Sequence, residues 1–247
     1  MTIKTDGIVI KEKTTGERDR LVTLLTRENG VIRAFVNGAR SPKSKNGAAT
    51  GLLCYSDFLI EQKKSGVYIV TEASAKEVFF SLREDIVSLS LAQYFAELAA
   101  ELSVREENAD EFLRLLLNAI YFVSEKKKEN DLIKAAAELR FLSLAGYMPS
   151  IVACSVCGKY ESETMRFSVS SGRLYCEECL PSEKTVELPL SVVTAMRHIC
   201  LSEANKVFSF TLSKPSLSLL CDVSERYLKN VTMRGYKTLD FYKAMTR

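Results

Sequence analysis

Two Cys-x2-Cys pairs in the second half of the chain constrain its fold more than any other feature of the sequence. Eighteen residues separate the first pair from the second. The four cysteines are Cys154, Cys157, Cys176 and Cys179. A two-residue spacing lets a tight turn bring two sulfur atoms about 3.5–4 Å apart, which is the edge of a tetrahedron with Zn–S bonds of about 2.3 Å. The spacing therefore predicts a site for one Zn²⁺ with four thiolate ligands.

The residues between the two pairs have the pattern of a β-hairpin. Apolar and polar side chains alternate over residues 165–169 and 173–175, and Ser171-Gly172 lies between these segments as a turn. Gly158 follows the first pair, where such a turn favours a residue without Cβ. The pattern predicts a zinc ribbon within residues 151–182.

Four protein thiolates complete the coordination shell of a zinc ion and leave no position for a reactive water. We therefore expect a structural metal and not a catalytic one. An iron–sulfur cluster uses the same four ligands, so the spacing leaves that alternative open, together with a redox-active cysteine pair. The other three of the seven cysteines, Cys54, Cys200 and Cys221, are predicted to be small core residues.

The compartment follows from the same cysteines and from the hydropathy pattern. The first residues lack the basic and apolar regions of a secretory signal. The sequence also contains no uncharged apolar run of about 18 residues, so no membrane span is predicted. We expect a reducing cytoplasm, where clustered cysteines bind metal more often than they form disulfides.

The first 78 residues contain short β-rich segments separated by turn signals. The predicted strands cover residues 3–13, 20–27, 31–38, 52–62 and 66–72. Asn29-Gly30 between two apolar segments is the strongest hairpin signal in the chain. Five short strands favour an OB-fold barrel, and an SH3-like barrel would give a similar pattern.

Beyond the barrel the apolar period changes to that of helices. Helical periodicity covers residues 91–102, 112–123 and 131–145, and it returns from residue 189 onward. The chain is thus predicted to be an α+β multidomain protein. Its predicted parts are an OB-fold domain (1–78), a helical domain in two sections (79–150 and 183–247) and an inserted zinc module (151–182).

Positive charge is concentrated in the predicted barrel. Residues 1–50 carry 10 basic and 5 acidic side chains, whereas residues 81–150 carry 8 basic and 12 acidic ones. The candidate DNA contacts are Arg18, Arg20, Arg33, Arg40, Lys43 and Lys45. The last three lie in a small polar stretch, residues 37–47, that is predicted to be a mobile loop after the third strand. Such a loop can close over phosphates and release their counterions.

Aromatic side chains near these cations could stack on bases, as in OB-folds that bind single strands. The available rings are Phe35, Tyr55, Phe58 and Tyr68. Their position within apolar segments favours the barrel core for most of them. The sequence thus predicts a nucleic-acid-binding barrel whose contacts are mainly cationic.

The sequence contains no motif of a common enzyme class. It lacks the phosphate loop G-x-x-x-x-G-K-[ST], the nucleophile elbow G-x-S-x-G, the zinc motif H-E-x-x-H and the dinucleotide fingerprint G-x-G-x-x-G. It also contains a single histidine. We therefore expect a protein that is not an enzyme. An RNA-binding OB and zinc-ribbon module and a cysteine-based redox enzyme are the two alternatives.

The order of several short segments resembles the bacterial RecO family of recombination mediators. Residues 7–10 (GIVI) and 16–20 (GERDR) resemble the first two strands of that family, and residues 38–40 (GAR) resemble its basic loop. Residues 138–140 (ELR) and 146–149 (GYMP), followed by the first cysteine pair, resemble its central junction.

The resemblance implies an N-terminal OB-fold, a helical domain and an inserted zinc module. It implies binding of single- and double-stranded DNA, annealing of complementary strands, and partnership with RecR. It also implies help in loading the RecA recombinase onto DNA coated by single-stranded DNA-binding protein, during recombinational repair of DNA damage and without ATP. Such a protein would be nucleoid-associated. DNA contact is carried over to Arg40, Lys43 and Lys45 first, and then to the three other candidate arginines.

Overall fold

A computed structural model of the chain describes residues 1–103, 108–179 and 181–246. Two compact units are present, and the polypeptide passes from the first to the second and back. The first unit comprises Met1–Glu125 and Thr238–Arg247, and the second comprises Lys126–Lys237. The predicted domain limits at residues 78, 150 and 182 stay predictions.

Strands form the N-terminal part of the chain, and helices dominate the remainder. The strands are β1 (Thr2–Thr15), β2 (Asp19–Thr26), β3 (Gly30–Val36), β4 (Tyr55–Gln62), β5 (Tyr68–Glu77), β6 (Thr164–Ser168), β7 (Arg173–Cys176) and β8 (Val186–Pro189). The helices are α1 (Ile86–Leu102), α2 (Asp110–Ser124), α3 (Asn130–Leu144), α4 (Leu190–Leu201), α5 (Lys214–Thr232) and α6 (Lys237–Met245). A short 3₁₀ helix, Phe80–Arg83, precedes α1.

Strands β1 to β5 form a closed barrel in the first unit. The strand order is β1-β2-β3-β5-β4, and β4 pairs with β1 to close it. Neighbouring strands are antiparallel except β3 and β5, which pair in parallel. A five-stranded Greek-key barrel with this order is an OB-fold. The structure thus confirms the predicted fold class and decides against the SH3-like alternative.

Alternation along each strand places every second side chain inside the barrel. The buried core includes Val9, Val22, Leu24, Ile32 and Phe58, none of them more than 3% exposed. The β2–β3 hairpin turns at the predicted Asn29-Gly30, where Gly30 has φ 57°. Strand β4 begins three residues later than predicted, because Leu53 takes a left-handed conformation (φ 61°) just before it.

Helices α1, α2 and most of α6 belong to the first unit. Asp85 caps α1 by accepting hydrogen bonds from two backbone N–H groups, at 3.0 and 3.4 Å. At the start of α2, Ala109 N donates to Arg27 O at 2.9 Å, and the Arg27 guanidinium pairs with Asp110. Arg27 also lies 2.8 Å from the carboxylate of Asp6 in β1. The same arginine therefore joins two barrel strands to helix α2.

The described part of the second unit, residues 126–179 and 181–237, contains a small sheet and the helices α3, α4 and α5. The sheet has the order β7-β6-β8, and its β6–β7 hairpin is the one that the sequence predicts, whereas β8 was not predicted. Helices α3 and α5 pack through a buried ion network, in which Lys134 Nζ lies 2.8 Å from Glu138 and 3.1 Å from Glu225. Among the described residues of both units, no helix is long and apolar enough to cross a membrane.

Candidate metal centre and nucleic-acid surface

The four cysteines of the ribbon come together in the second unit. All four sulfur atoms lie within 4.8 Å of one another, and those of Cys157 and Cys176 are 3.6 Å apart. Cys154 and Cys157 lie on a turn that Gly158 completes at φ 74°, with its N–H donating to Cys154 O at 2.9 Å. Cys176 ends β7, and the Cys179 N–H donates to the Cys176 carbonyl at 3.3 Å. Two tight turns thus bring the sulfur atoms of the two predicted cysteine pairs into one cluster.

The electrostatics of this cluster favour ionised sulfur at Cys154. Burial opposes ionisation, but the backbone N–H groups of Cys157, Cys176 and Val156 lower the pKa of the Cys154 thiol to about 6. Cys179 instead donates its proton to the sulfurs of Cys157 and Cys176, which raises its pKa to about 12. Metal binding releases such protons, because the thiolate is the form that ligates a metal.

The donor set and its spacing fit a metal ion. A tetrahedral Zn²⁺ site with Zn–S bonds of about 2.3 Å has S–S edges of about 3.8 Å. Cys154 and Cys176 are buried, and Cys157 is exposed. A metal held by all four residues has no open coordination position, so what it supplies is a fixed geometry for the ribbon and not catalysis. The cluster can therefore hold a metal ion, as the sequence predicted.

A carboxylate that the sequence analysis missed closes the ribbon after the second cysteine pair. Glu183 accepts hydrogen bonds from Ser170 Oγ at 3.0 Å, Ser171 Oγ at 2.9 Å and Tyr175 OH at 2.6 Å, and also from Ser168 Oγ. These donors, Ser168 first, lower the pKa of Glu183 to about 2. We call Glu183 and its four donors the hydroxyl clasp. No local spacing indicates it, because the donors come from β6, the hairpin turn and β7.

The outward side of β1, β2 and β3 carries cations around an apolar strip. Two rows of cross-strand neighbours define this barrel face: Lys11, Thr23 and Arg33, and then Lys13, Leu21 and Phe35. The three cations are exposed, whereas Leu21 and Phe35 are half-buried. On an OB-fold, the face of the second and third strands is the one that binds oligonucleotides. The structure thus places Lys11 and Lys13 on the same face as Arg33, one of the predicted contacts.

Of the four candidate rings, Phe35 lies on the barrel face, next to Ile69 of β5. Phe58 is 2% exposed in the core. Tyr68 packs against the same core, and the Tyr55 hydroxyl belongs to the ion-pair network at the start of β1. Phe35 is therefore the candidate ring that lies on the barrel face.

The β3–β4 loop exposes all three of its predicted DNA contacts. Its exposed cations are Arg40, Lys43 and Lys45. The Arg40 N–H donates to the carbonyl of the exposed Arg18 at 3.0 Å, which ties the loop to the β1–β2 turn. The Asn46 side chain donates to Thr71 O and accepts from Ala73 N, both at 3.1 Å, which ties the loop to β5. Hydrogen bonds thus tie the loop to the barrel at Arg40 and Asn46, and the predicted mobility of the residues between them stays a prediction.

Arg20 differs from the other five predicted contacts because it is half-buried, whereas they are exposed. It precedes Val22 by two residues on β2, so it points to the interior side of the barrel. Arg20 Nη1 donates to Gly47 O at 3.1 Å and to Thr50 Oγ1 at 3.3 Å, and its Nε lies 3.5 Å from Glu12. These contacts give Arg20 a role in holding the loop. Its alternation with Val22 is the signal in the sequence that could have indicated this.

These features define an OB-fold protein with a basic barrel face and a four-cysteine ribbon inserted in a helical unit. The family model described as Recombination protein O N terminal matches residues 1–79. The model described as Recombination protein O C terminal matches residues 83–240. The chain therefore belongs to the RecO family.

Curated relatives match the chain over most of its length. DNA repair protein RecO of Acetivibrio thermocellus is 35% identical over 246 residues, which cover 99% of this chain and 98% of the relative. DNA repair protein RecO of Caldicellulosiruptor saccharolyticus is 29% identical over 98% of both chains. That of Alkaliphilus metalliredigens is 33% identical over 72% of both. The resemblance inferred from the sequence is confirmed.

Proposed function

We propose that the protein is a DNA-binding recombination mediator that acts in recombinational repair of damaged DNA at the nucleoid. It binds single- and double-stranded DNA and anneals complementary strands. Together with RecR it helps to load RecA onto DNA coated by single-stranded DNA-binding protein. Membership of the RecO family and the name of its relatives, DNA repair protein RecO, support this role.

The barrel face is the observation that carries the proposal. Its three cations can neutralise phosphates and release counterions, while the ring of Phe35 stacks on a base. Arg18 and the exposed cations of the β3–β4 loop extend this positive surface, because the loop is bonded to the β1–β2 turn. The role needs no catalytic site and no ATP. The metal at the four cysteines is proposed to be one structural Zn²⁺.

Charge reversal of the loop tests the DNA contacts. Replacing Arg40, Lys43 and Lys45 by Glu is expected to weaken binding of a labelled single strand. The slope of log affinity against log salt should flatten by about 2, because each lost phosphate contact on a single strand removes about 0.7. Fluorescence anisotropy over a series of salt concentrations measures both effects. The matched control reverses three exposed lysines of the second unit, Lys184, Lys206 and Lys214, and should leave the slope unchanged.

Two outcomes would contradict these assignments. Salt-insensitive binding by the unaltered protein argues against phosphate contacts, and normal binding by the triple variant argues against the loop. Competition with RNA of the same sequence tests the RNA-binding alternative, because preference for RNA needs contacts to the 2′-hydroxyl. Sedimentation of the mixed purified proteins tests the partnership with RecR, and two independently migrating species would reject it.

A further inference from the structure

A cleft in the first unit lies outside the barrel face. Its volume is about 380 Å³. The end of the β3–β4 loop lines it, together with β1, β2, the 3₁₀ helix and the start of α1. The side chains that decide its chemistry are Glu12, Arg20, Leu52, Arg83, Leu89 and Gln93. All of them belong to the same compact unit.

Arg83 is the accessible cation of this cleft. It is exposed and, among the described residues, pairs with no carboxylate. Its guanidinium carbon lies 5.7 Å from the centroid of the Phe80 ring, which gives the group an apolar neighbour on one side. A Cβ added at Gly51 would lie 3.8 Å from Arg83 Nη2. The loop backbone at Gly51 therefore lies beside the guanidinium.

The other two charged groups of the cleft compensate each other. Glu12 lies 3.5 Å from Arg20 Nε, and it also accepts a hydrogen bond from Leu52 N at 3.2 Å. Because this pair is neutral as a whole, Arg83 gives the lining a net charge of +1. A concave site with a positive charge attracts anions.

Apolar and amide groups make the cleft more than an anion site. Leu52 and Leu89 offer apolar contact, and the Gln93 side chain offers both a donor and an acceptor. The volume falls in the range of small-molecule sites, about 300–1,000 Å³. A nucleotide matches all three kinds of lining, because it combines a phosphate, a flat base and a hydrogen-bonding base edge.

We propose that this cleft binds one nucleotide of a single DNA strand. Its phosphate lies at Arg83, its base lies against Leu52 and Leu89, and Gln93 faces the base edge. The β3–β4 loop connects this site to the rest of the DNA surface. Its residues 40–45 carry the exposed cations, and Gly47, Ala48, Gly51 and Leu52 line the cleft. The inference rests on the proposed DNA binding and adds a second site to it.

Two substitutions of opposite effect on charge test the cleft. Arg83→Gln should flatten the slope of log affinity against log salt by about 0.7. It should also reduce the affinity at about 0.1 M salt about fivefold. Glu12→Gln should tighten binding, because it removes a negative charge while its amide oxygen can still accept from Leu52 N. Anisotropy of labelled oligothymidine measures both. Arg226→Gln is the control, an exposed arginine of the second unit, and should change neither quantity.

A substitution that fills the cleft tests whether DNA binding needs its open volume as well as its charge. Ala48 lines the cleft and is exposed, so Ala48→Trp fills it without altering the net charge. We expect Ala48→Trp to weaken binding as much as Arg83→Gln does. The double variant should be no weaker than either single one, because both changes remove the same contact.

Unchanged affinity and salt slope in both Arg83→Gln and Ala48→Trp would overturn the inference. Weaker DNA binding by Glu12→Gln would overturn it too. So would a competition experiment in which inorganic phosphate or polyglutamate displaces the labelled strand as well as unlabelled oligothymidine does. Loss of binding in the loop triple variant alone would reject the cleft and keep the proposed function. An unaltered protein that binds no oligonucleotide would reject both.

Discussion

The barrel and the ribbon are both small β structures, but different interactions hold them together. The barrel buries a cluster of ten apolar residues drawn from all five strands and the loop after β3. The strands of the ribbon are only four or five residues long. These strands also bury apolar side chains, including Met165, Phe167 and Leu174, and the Phe167 ring packs edge-on against Tyr227 of α5. A core within the barrel therefore holds the barrel strands together, whereas the ribbon combines packing on a helix with the four sulfur ligands and the hydroxyl clasp.

The two regions also stabilise a carboxylate in different ways. Arg27, helped by Tyr55 and Lys76, holds the pKa of Asp6 in the barrel well below its usual range. Four neutral hydroxyl groups do the same for Glu183 in the ribbon. Ion pairs at partly exposed positions weaken as salt screens them, whereas hydrogen bonds from neutral donors are much less sensitive. A carboxylate is thus stabilised by cations in the barrel and by neutral hydroxyl groups in the ribbon.

The largest effect is expected from loss of a metal ligand. Cys176→Ser removes one of the four sulfurs, so the ribbon should lose its metal and open. Structural zinc contributes about 10–16 kcal/mol of apparent binding free energy in small zinc-finger peptides, so we expect a large fall in the stability of the second unit. Metal analysis and thermal unfolding measure the change. The barrel should remain folded, because its core contains no part of the ribbon.

A second cysteine provides the control. Cys221 Sγ lies 3.3 Å from Asp131 O, outside the metal cluster, and a serine hydroxyl can donate to the same carbonyl. Cys221→Ser should therefore keep the metal and most of the stability. Unchanged melting of Cys176→Ser together with full zinc content would contradict the comparison, and so would unfolding of the barrel.

An intermediate effect is expected when the barrel loses its paired carboxylate. Asp6→Ala removes hydrogen bonds to Arg27 and Tyr55, which should cost about 1–3 kcal/mol at neutral pH. The folded-state pKa is lowered, so this stabilisation is complete above the ordinary aspartate pKa of about 3.9 and is lost as pH falls below it. The difference between the two proteins in urea unfolding should therefore shrink in acid.

The neighbouring Asp57 tests whether burial matters for this ion pair. Its side chain is 53% exposed and lies 2.7 Å from Lys76 Nζ. Asp57→Ala should cost at most about 1 kcal/mol, because exposed pairs contribute little. Equal costs for the two substitutions would show that the position of Asp6 is not special.

The parts of the site that the sequence predicted depend on local spacing. The cysteine pairs and the Asn29-Gly30 turn need only a few neighbouring residues, and both are where they were expected. The barrel face was harder, because a register shift between Val9 and Lys11 changes which residues of β1 point outward. Simple alternation cannot show such a bulge. Arg83 was missed because the barrel and loop residues that share the cleft with it, up to Leu52, are more than 30 residues away in sequence.

The smallest effect is expected in the hydroxyl clasp, where a single donor can be removed. Tyr175→Phe deletes the 2.6 Å hydrogen bond to Glu183, so the pKa of Glu183 should rise from about 2 toward its ordinary value of 4.5. Carboxyl-carbon NMR titration of the zinc-loaded protein measures this, with Tyr160→Phe of the same module as control. Added salt should shift the pKa of Asp6 upward and leave that of Glu183 nearly unchanged, because only Asp6 is held by cations. Equal salt shifts for the two carboxylates would contradict the distinction between an ion-paired barrel and a hydroxyl-bound ribbon.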